Sequence, residues 1–542
     1  MRRISLLCAA AALVASPAFA QSGPGGGGDK SKSVEDLHRD ELSKQAAEGW
    51  ANAPVDERTV STRHSAVVDG RTLPYTATAG TLTIRDAEGK PTASIFYTAD
   101  TLDSPAGSHR PVTFFYNGGP GSASLWLRMG SFGPTRIQTL NAEYIRPAPF
   151  NYTANPDTLL GTTDIVFIDA PGTGYSRPLG DSKPADFYGV DQDADAFAKA
   201  IIRYVTKFDR WNSPKFLFGE SYGTTRSGAL AYQLQDRGMA LNGVILLSSI
   251  MNYGRRQPGL DRDYINYLPS YATTAWYHHK MSSPPATVAE AAAEARAFAE
   301  GPYAAALEKG QTISKQEEDS VAQQMSALTG LSPQFIENAD LRVDLSQFRK
   351  ELLRDQRQTI GRYDSRYTGI DPNASGDAPD FDASDVAISG GFIGTLQGYL
   401  ANDLGYRTDM QYRLSASDAD GFKWDWTHKA PGSRYGLQMP NTALDLAAAM
   451  RTNPYLKVLS LNGYYDMATP YFGTEYDLNH MMLEPAQQHN LEFRYYPSGH
   501  MVYLNPDALH QMRLDVQGFI NEAVAEAGSP VPQAQPARRR AR

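Results

Sequence analysis

The pattern of hydrophobic and polar positions changes several times along the chain. From about residue 58 to residue 100, polar and apolar residues alternate between turn residues at 68–70 and 87–89, which predicts antiparallel strands. From residue 111, short apolar runs alternate with helical segments such as 191–206 and 227–236. The apolar runs are typical of buried parallel strands: Pro111–Tyr116, Asp164–Asp169, Lys215–Phe218 and Gly243–Leu247.

The strand rhythm stops between residues 252 and 435. Segments of this region have helical character: 286–306, 315–329 and 345–358. Residues 363–384 are expected to form a polar loop. Strand runs resume at 456–461 and 491–496, and a closing helix follows at about 506–525. The pattern therefore predicts an α/β fold, with a mostly parallel central sheet interrupted by a largely helical insertion.

The N-terminal residues have a different pattern. Arg2 and Arg3 precede a short apolar stretch, and Ala18-Phe19-Ala20 is a small-x-small site, which together predict a signal peptide cleaved before Gln21. The predicted organisation begins with a signal peptide (1–20) and a flexible leader with an N-terminal helix (21–57). The first part of the core (58–251) is followed by a helical cap (252–435) and the second part of the core (436–527). The chain is predicted to end in a disordered basic tail (528–542).

Composition narrows the class of protein. The 542 residues are 41% hydrophobic with a net charge of −9, which is typical of a globular chain and argues against a nucleic-acid partner. No later apolar run approaches the ~18 residues of a membrane span, so no membrane anchor is expected. The one cysteine, Cys8, lies in the predicted signal peptide, so the mature chain would form no disulfide. Composition gives no indication of the oligomeric state.

A candidate nucleophile follows the run at 215–218. Gly219-Glu220-Ser221-Tyr222-Gly223 has the G-x-S-x-G pattern between a predicted strand and a predicted helix. Small residues on both sides of Ser221 allow the sharp turn that exposes a serine hydroxyl, and the Tyr222 amide then lies at a helix N-terminus. A glycine-rich loop, Asn117–Gly121, follows an earlier strand, so the Gly118 or Gly119 amide is the expected second donor to an oxyanion.

The expected base and acid follow Ser221 in the order Ser, Asp, His. His500 comes directly after the run at 491–496, and Asp466 follows the run at 456–461. Asp477 is the rival acid but falls in a helical stretch. Other histidines in this part of the chain are interpreted as surface or packing residues: His278, His279, His428 and His510. Ser221, Asp466 and His500 are therefore the predicted triad.

These motifs together resemble the serine carboxypeptidase family, and specifically its bacterial secreted branch. The matching segments are Asn117–Gly121, Asn155-Pro156, Asp169–Ser176, Gly219–Gly223, Gly463–Asp466 and Gly499–Met501. The insertion shows no match. The resemblance implies an α/β-hydrolase fold with a cap and removal of C-terminal residues from a peptide substrate through an acyl-enzyme.

The resemblance also implies roles for individual residues. The Gly119 and Tyr222 amides would form the oxyanion hole, and Asn117, the Gly118 amide and Glu220 would bind the substrate's terminal carboxylate. Ser131 stands where the family has a second carboxylate-binding glutamate, two residues before a Gly-Pro pair, and is therefore included among the expected carboxylate-binding residues. Without that partner, we expect Glu220 to depend less on acid pH, and the enzyme to have a broader or more neutral optimum.

Other features favour no cofactor or metal. Asp371–Asp382 partly follows a calcium-loop spacing, but prolines intrude, so an acidic loop is favoured. Trp424 and Trp426 fit either a pocket wall or core packing.

The same triad could serve an esterase, an acyltransferase or an aminopeptidase, and a catalytically silent binding protein is a further alternative. The predicted signal places the protein in the periplasm or outside a bacterial cell.

Overall fold

The computed structural model describes residues 40, 43, 51–105, 108–419 and 421–527. The predicted signal peptide, most of the leader and the C-terminal tail lie outside these residues. The strands are β1 Thr59–Val68, β2 Arg71–Arg85, β3 Pro91–Leu102, β4 Val112–Tyr116, β5 Thr135–Ile137, β6 Tyr152–Ala154, β7 Asp164–Ile168, β8 Arg177–Pro178, β9 Lys215–Glu220, β10 Gly243–Leu247, β11 Gln358–Ile360, β12 Thr368–Ile370, β13 Lys457–Gly463 and β14 Leu491–Tyr496.

The α-helices within the described residues are, in chain order, α1 Leu125–Gly130, α2 Val190–Lys207, α3 Tyr222–Asp236, α4 Arg262–Tyr277, α5 Val288–Phe298, α6 Ala304–Glu308, α7 Lys315–Thr329, α8 Pro333–Asn338, α9 Leu345–Glu351, α10 Ala383–Val386, α11 Ser389–Asn402, α12 Ala443–Thr452, α13 Tyr471–Asn479, α14 Pro485–Gln488 and α15 Pro506–Ala527.

The central sheet has the order β1-β2-β3-β7-β4-β9-β10-β13-β14, and β8 pairs with β3. The first strands pair antiparallel up to β7, and every pairing from β7 to β14 is parallel. The predicted α/β fold with a mostly parallel sheet is confirmed. Omitting β1, the strand order is that of the α/β-hydrolase fold, in which the nucleophile turn follows the strand occupied here by β9.

The sheet is buried on both faces because its central strands are continuously apolar. All five residues of β4 are buried, and successive side chains point to opposite faces. Phe115 packs with α11 and α15 on one face, while Phe114 packs with α2 and α3 on the other. The site described below lies at the carboxyl ends of these parallel strands, where the connecting loops converge.

The segment between β10 and β13 contains helices α4–α12 and a third hydrophobic cluster. Three details of this segment differ from the predictions. The helix expected at 345–358 ends at Glu351, and Gln358–Ile360 instead pairs with Thr368–Ile370 in an antiparallel ribbon. The polar loop expected at 363–384 therefore contains a strand, and it also contains the first residues of helix α10. The sequence pattern also missed the helix Ser389–Asn402. Within the described residues, no helix combines the length and apolar character of a membrane span.

A buried ion pair links α2 to α3 directly behind the site. Arg226 is fully buried, and its guanidinium donates to both carboxylate oxygens of Asp193, at 2.6 and 3.1 Å. A third bond, of 2.8 Å, runs from the same guanidinium to the Asn117 carbonyl. The pair therefore fixes the two helices and the glycine-rich loop relative to one another.

Replacing Asp193 with asparagine should destabilise the fold by about 3–5 kcal/mol, because it leaves the Arg226 charge buried without a counter-charge. Asp195→Asn is the matched control, since Asp195 lies on the same helix and forms exposed pairs with Lys199 and Arg237. Such a pair contributes at most about 1 kcal/mol. Urea unfolding of the two variants measures the difference; equal losses would contradict a special role for the buried pair.

Candidate active site

Ser221 occupies a sharp turn between β9 and α3. Its backbone has φ 60° and ψ −128°, a region that residues with a Cβ rarely adopt and that is associated with functional turns. Glycines make this turn sterically possible. A Cβ on Gly219 would lie 2.3 Å from the Gly223 carbonyl oxygen, and a Cβ on Gly223 would lie 2.9 Å from the Tyr116 carbonyl oxygen. The turn places Ser221 on the wall of the main cavity.

His500 and Asp466 form a buried pair on the loops after β14 and β13. The His500 Nδ1 lies 2.7 Å from Asp466 Oδ2. Asp466 Oδ1 accepts the amides of Ala468 and Thr469 at 2.7 and 2.9 Å, and the Thr469 hydroxyl donates to Oδ2 at 2.8 Å. Because Asp466 binds Nδ1, Nε2 is the ring nitrogen left to face the cavity that Ser221 and His500 both line.

The backbone of His500 is held from two sides. The Ser248 hydroxyl donates to the His500 carbonyl at 2.6 Å, and the His500 amide donates to the Tyr363 carbonyl at 2.6 Å. Burial of the imidazole opposes its charging, but the negative charge of Asp466 and their hydrogen bond outweigh burial and raise the pKa of His500. Glu220 adds to this effect.

The glycine-rich loop packs directly on the start of α3. A Cβ on Gly118 would lie 2.4 Å from the Tyr222 amide nitrogen and 2.7 Å from the Glu220 carbonyl oxygen. Gly119 has a φ of +106°, which favours glycine. The Asn117 side-chain oxygen accepts the Leu127 amide at 3.0 Å. Gly119 and Tyr222, the predicted oxyanion-hole residues, therefore line the same cavity as Ser221.

Glu220 is a buried carboxyl beside the nucleophile turn. Its Oε2 accepts the Tyr503 hydroxyl at 2.9 Å, and Asn117 also hydrogen bonds to it. Burial raises the pKa of Glu220 to about 7, although the His500 charge and these hydrogen bonds lower it. The carboxyl therefore changes its protonation state near neutral pH.

Ser131 is the predicted site residue that the structure does not bring into the cavity wall. It follows the last turn of α1, is fully buried, and donates its hydroxyl to the Leu127 carbonyl at 2.6 Å. Asn117, Gly118 and Glu220 do line the cavity. The Ser131 hydroxyl is therefore hydrogen-bonded within its own helix end rather than directed into the cavity.

The cavity measures about 2840 Å³ and extends from the nucleophile turn into the insertion. Trp424 and Trp426 agree with both interpretations of the sequence, a pocket wall and aromatic packing, since they line the cavity and also pack against other aromatic rings. The ring centroid of Trp424 lies 5.2 Å from that of Tyr222, and the centroid of Trp426 lies 4.7 Å from that of Tyr253. The insertion therefore supplies an aromatic wall, formed by Trp424 and Trp426, to the cavity that Ser221 also lines.

Sequence reasoning missed residues that hold the site together. Thr469, Tyr363 and Tyr503 each contact a predicted site residue. Tyr503 lies three positions after His500, and Thr469 lies three positions after Asp466, so their closeness to the motifs could have identified them. No sequence feature indicated Tyr363, because its contact with His500 depends on the packing of the insertion.

The rival residues have other partners. Asp477 accepts the amides of Met251 and Asn252, each at 3.1 Å, and none of the other histidines considered lines the cavity. In the suggested calcium loop, Asp371 is buried and paired with the Lys350 ammonium. The Lys350 ammonium thus supplies the positive charge beside Asp371. The described residues contain no cluster of acidic, histidine or cysteine side chains suited to a metal.

The fold and the grouping of a serine, a histidine and an acid define an α/β-hydrolase. The family model for serine carboxypeptidases matches residues 70–541, so the chain belongs to that family.

Curated relatives are similar over shorter stretches. The chain is 25% identical over 209 residues to serine carboxypeptidase-like 22 of Arabidopsis thaliana, covering 38% of this chain and 41% of that protein. It is 27% identical over 209 residues to P-(S)-hydroxymandelonitrile lyase of Sorghum bicolor, covering 38% and 36%. The matches therefore span less than half the length of these relatives. The structure of a prohormone-processing carboxypeptidase from Saccharomyces cerevisiae is 14% identical with a TM-score of 0.49, covering 83% of this chain and 92% of that one.

Replacing Gly118 with alanine should slow labelling of Ser221 by a fluorophosphonate by about 10²-fold or more, because the added Cβ would push the loop away from the Tyr222 amide. Gly518→Ala is the control, since a Cβ there meets nothing within 4 Å and alanine favours the helix. Labelling rates of folded protein, verified by circular dichroism, measure the effect. Unchanged labelling of the Gly118 variant would show that the close approach is dispensable.

Proposed function

We propose that this protein is an exported bacterial serine carboxypeptidase, which hydrolyses C-terminal peptide bonds through an acyl-enzyme at Ser221. The observation that carries the proposal is the shared cavity. It is lined by a serine on a strained turn, by a histidine bound to a buried aspartate, and by the buried Glu220 carboxyl beside them.

In the proposed mechanism, Ser221 Oγ attacks the carbonyl carbon while His500 Nε2 takes its proton. Asp466 holds the imidazole and stabilises its charge. The amides of Gly119 and Tyr222 donate to the oxyanion. His500 then gives the proton to the leaving amine, and the acyl-enzyme forms as the C–N bond breaks. Water, deprotonated by His500, attacks the ester and releases the acid and Ser221.

Recognition of a free C-terminus would rest on Asn117, the Gly118 amide and Glu220. A protonated Glu220 can donate a hydrogen bond to the substrate carboxylate, whereas an ionised Glu220 would repel it. Burial and its raised pKa favour the protonated form below neutral pH. The Glu220 carboxyl distinguishes the proposed carboxypeptidase from an esterase, an acyltransferase or an aminopeptidase with the same triad. Family membership alone does not define the reaction, since one relative is a lyase by name.

Export is proposed from the first twenty residues. Their charged start, apolar stretch and small-x-small site are features of a cleaved signal, and the fold would then hold without disulfides. A mature N-terminus at Gln21, read from protein recovered outside the cytoplasm, is the expected result. An intact Met1 terminus on such protein would contradict cleavage.

Ser221→Ala and His500→Ala should each lower kcat on blocked dipeptides by ~10⁴ or more, because the triad acts as a unit. His510→Ala is the control, since His510 is exposed and pairs with Asp157 away from the cavity. Fluorophosphonate labelling should disappear in Ser221→Ala. No labelling of the native protein would instead favour a catalytically silent binding protein.

For peptides with a free C-terminus, kcat/KM should fall as pH rises through about 7, because Glu220 loses its proton there. Amidated peptides should react more slowly and lack this falling limb. Glu220→Gln keeps a hydrogen-bond donor without titrating, so it should retain the preference for free acids and lose the limb.

Equal rates on free and amidated peptides would argue against carboxyl recognition by Asn117 and Glu220. A kcat/KM profile that rises steeply below pH ~5 would contradict the neutral optimum, since the only carboxyl proposed to contact the substrate carboxylate titrates near 7.

A further inference from the structure

Tyr503 is a buried phenol that reaches the carboxyl beside the nucleophile. It lies in the short turn Val502–Leu504, just after His500, and its side chain has no exposed surface. Its hydroxyl donates to Glu220 Oε2 at 2.9 Å and also hydrogen bonds to Asn117. One side chain thus contacts two residues of the proposed carboxylate site from the loop that carries the proposed base.

The end of helix α1 is shaped to admit this ring. A Cβ on Gly130 would lie only 2.5 Å from Tyr503 Cε2, so a larger residue there would displace the phenol. The next residue, Ser131, donates its hydroxyl to the Leu127 carbonyl. Of these two hydroxyls, that of Tyr503 is therefore the one that donates to Glu220.

The other groups around Glu220 are titratable or polar. His500 and Asp466 act on it through their charges, Asn117 through a hydrogen bond, and Tyr363 lies near enough for Glu220 to raise its pKa. Tyr503 itself keeps its proton, because burial and the Glu220 charge hold its pKa well above the usual value. Tyr503 thus remains a donor whether Glu220 is ionised or neutral.

We propose that Tyr503 is a positioning residue for recognition of the substrate's C-terminal carboxylate: it anchors Glu220 Oε2 so that the other carboxyl oxygen is presented to the substrate. The role in substrate recognition rests on the proposed function, but the contact between Tyr503 and Glu220 can be tested without a substrate. Because the phenol donates to the ionised form, it also lowers the pKa of Glu220, and it is thus one of the groups that determine the pH at which a substrate carboxylate is rejected.

Tyr503→Phe removes the hydroxyl and keeps the ring against Gly130. On the low-pH plateau, where Glu220 is protonated, we expect kcat/KM for a free-acid peptide to fall about fivefold, as for loss of one neutral hydrogen bond, while the amidated peptide is unaffected. The falling limb of the free-acid profile should move to higher pH. Tyr303→Phe is the control, because Tyr303 is an equally buried tyrosine whose hydroxyl donates to the Leu341 carbonyl in the insertion. Equal losses on both peptides would overturn the positioning role.

A second measurement follows Glu220 without any substrate. The carbonyl stretch of its protonated carboxyl, assigned by its absence in Glu220→Gln, is titrated by infrared difference spectroscopy. The midpoint should rise in Tyr503→Phe and stay constant in Tyr303→Phe. An unchanged midpoint would overturn the proposal. If the midpoint moves but the wild type hydrolyses free and amidated peptides equally, the contact stands, the recognition role fails with the proposed function, and Glu220 serves another ligand.

Discussion

The site depends on how closely the glycine-rich loop approaches the start of α3. The space between Gly118 and the Tyr222 amide is too small for a single methyl group, so two backbone segments that are far apart in sequence act as one surface. The buried guanidinium of Arg226 holds this contact from behind by binding both the Asn117 carbonyl and Asp193. The strained turn at Ser221, the amides beside it and the Glu220 carboxyl all take their positions from this junction.

Two titratable groups near this junction, His500 and Glu220, are influenced in different ways by their surroundings. Asp466 favours a charged His500, while burial favours a neutral Glu220 and brings its titration to near neutral pH. Since each group also acts on the other, neither titrates independently. A hydrolase that must keep its base neutral and a recognition carboxyl protonated can meet both requirements only within a limited pH range, and this coupling places that range near neutrality.

Local patterns made much of the fold and of the proposed triad predictable. Continuous apolar runs identified strands such as β4, because burial on both faces leaves few other compositions. The helix Ser389–Asn402 was missed because its glycines disfavour helix, and it forms through the packing of side chains such as Phe392 and Tyr399 into the core. The ribbon at Gln358–Ile360 likewise requires a partner strand that no local pattern announces.

The contacts that orient the site were less predictable than its motifs. Ser221, Asp466 and His500 each lie in a recognisable strand-loop context, whereas Tyr503 and Glu220 are 283 positions apart and meet only through the fold. Ser131 illustrates the converse. Its place in the motif suggested a ligand contact, but the end of α1 absorbs its hydroxyl. Motif spacing identified most of the residues that line the cavity, but it did not determine the hydrogen-bond partner of each side chain.

The bond between the His500 amide and the Tyr363 carbonyl has a consequence for how such an enzyme can diversify. The insertion, which includes Tyr363, supplies Trp424 and Trp426 to the cavity wall. Here it also forms part of the scaffold beneath the imidazole, and a Cβ on the neighbouring Gly499 would lie 2.4 Å from the Asp364 Cβ. Exchange of the whole insertion would therefore disturb the machinery common to every substrate, and new specificities should arise instead from changes in the aromatic wall.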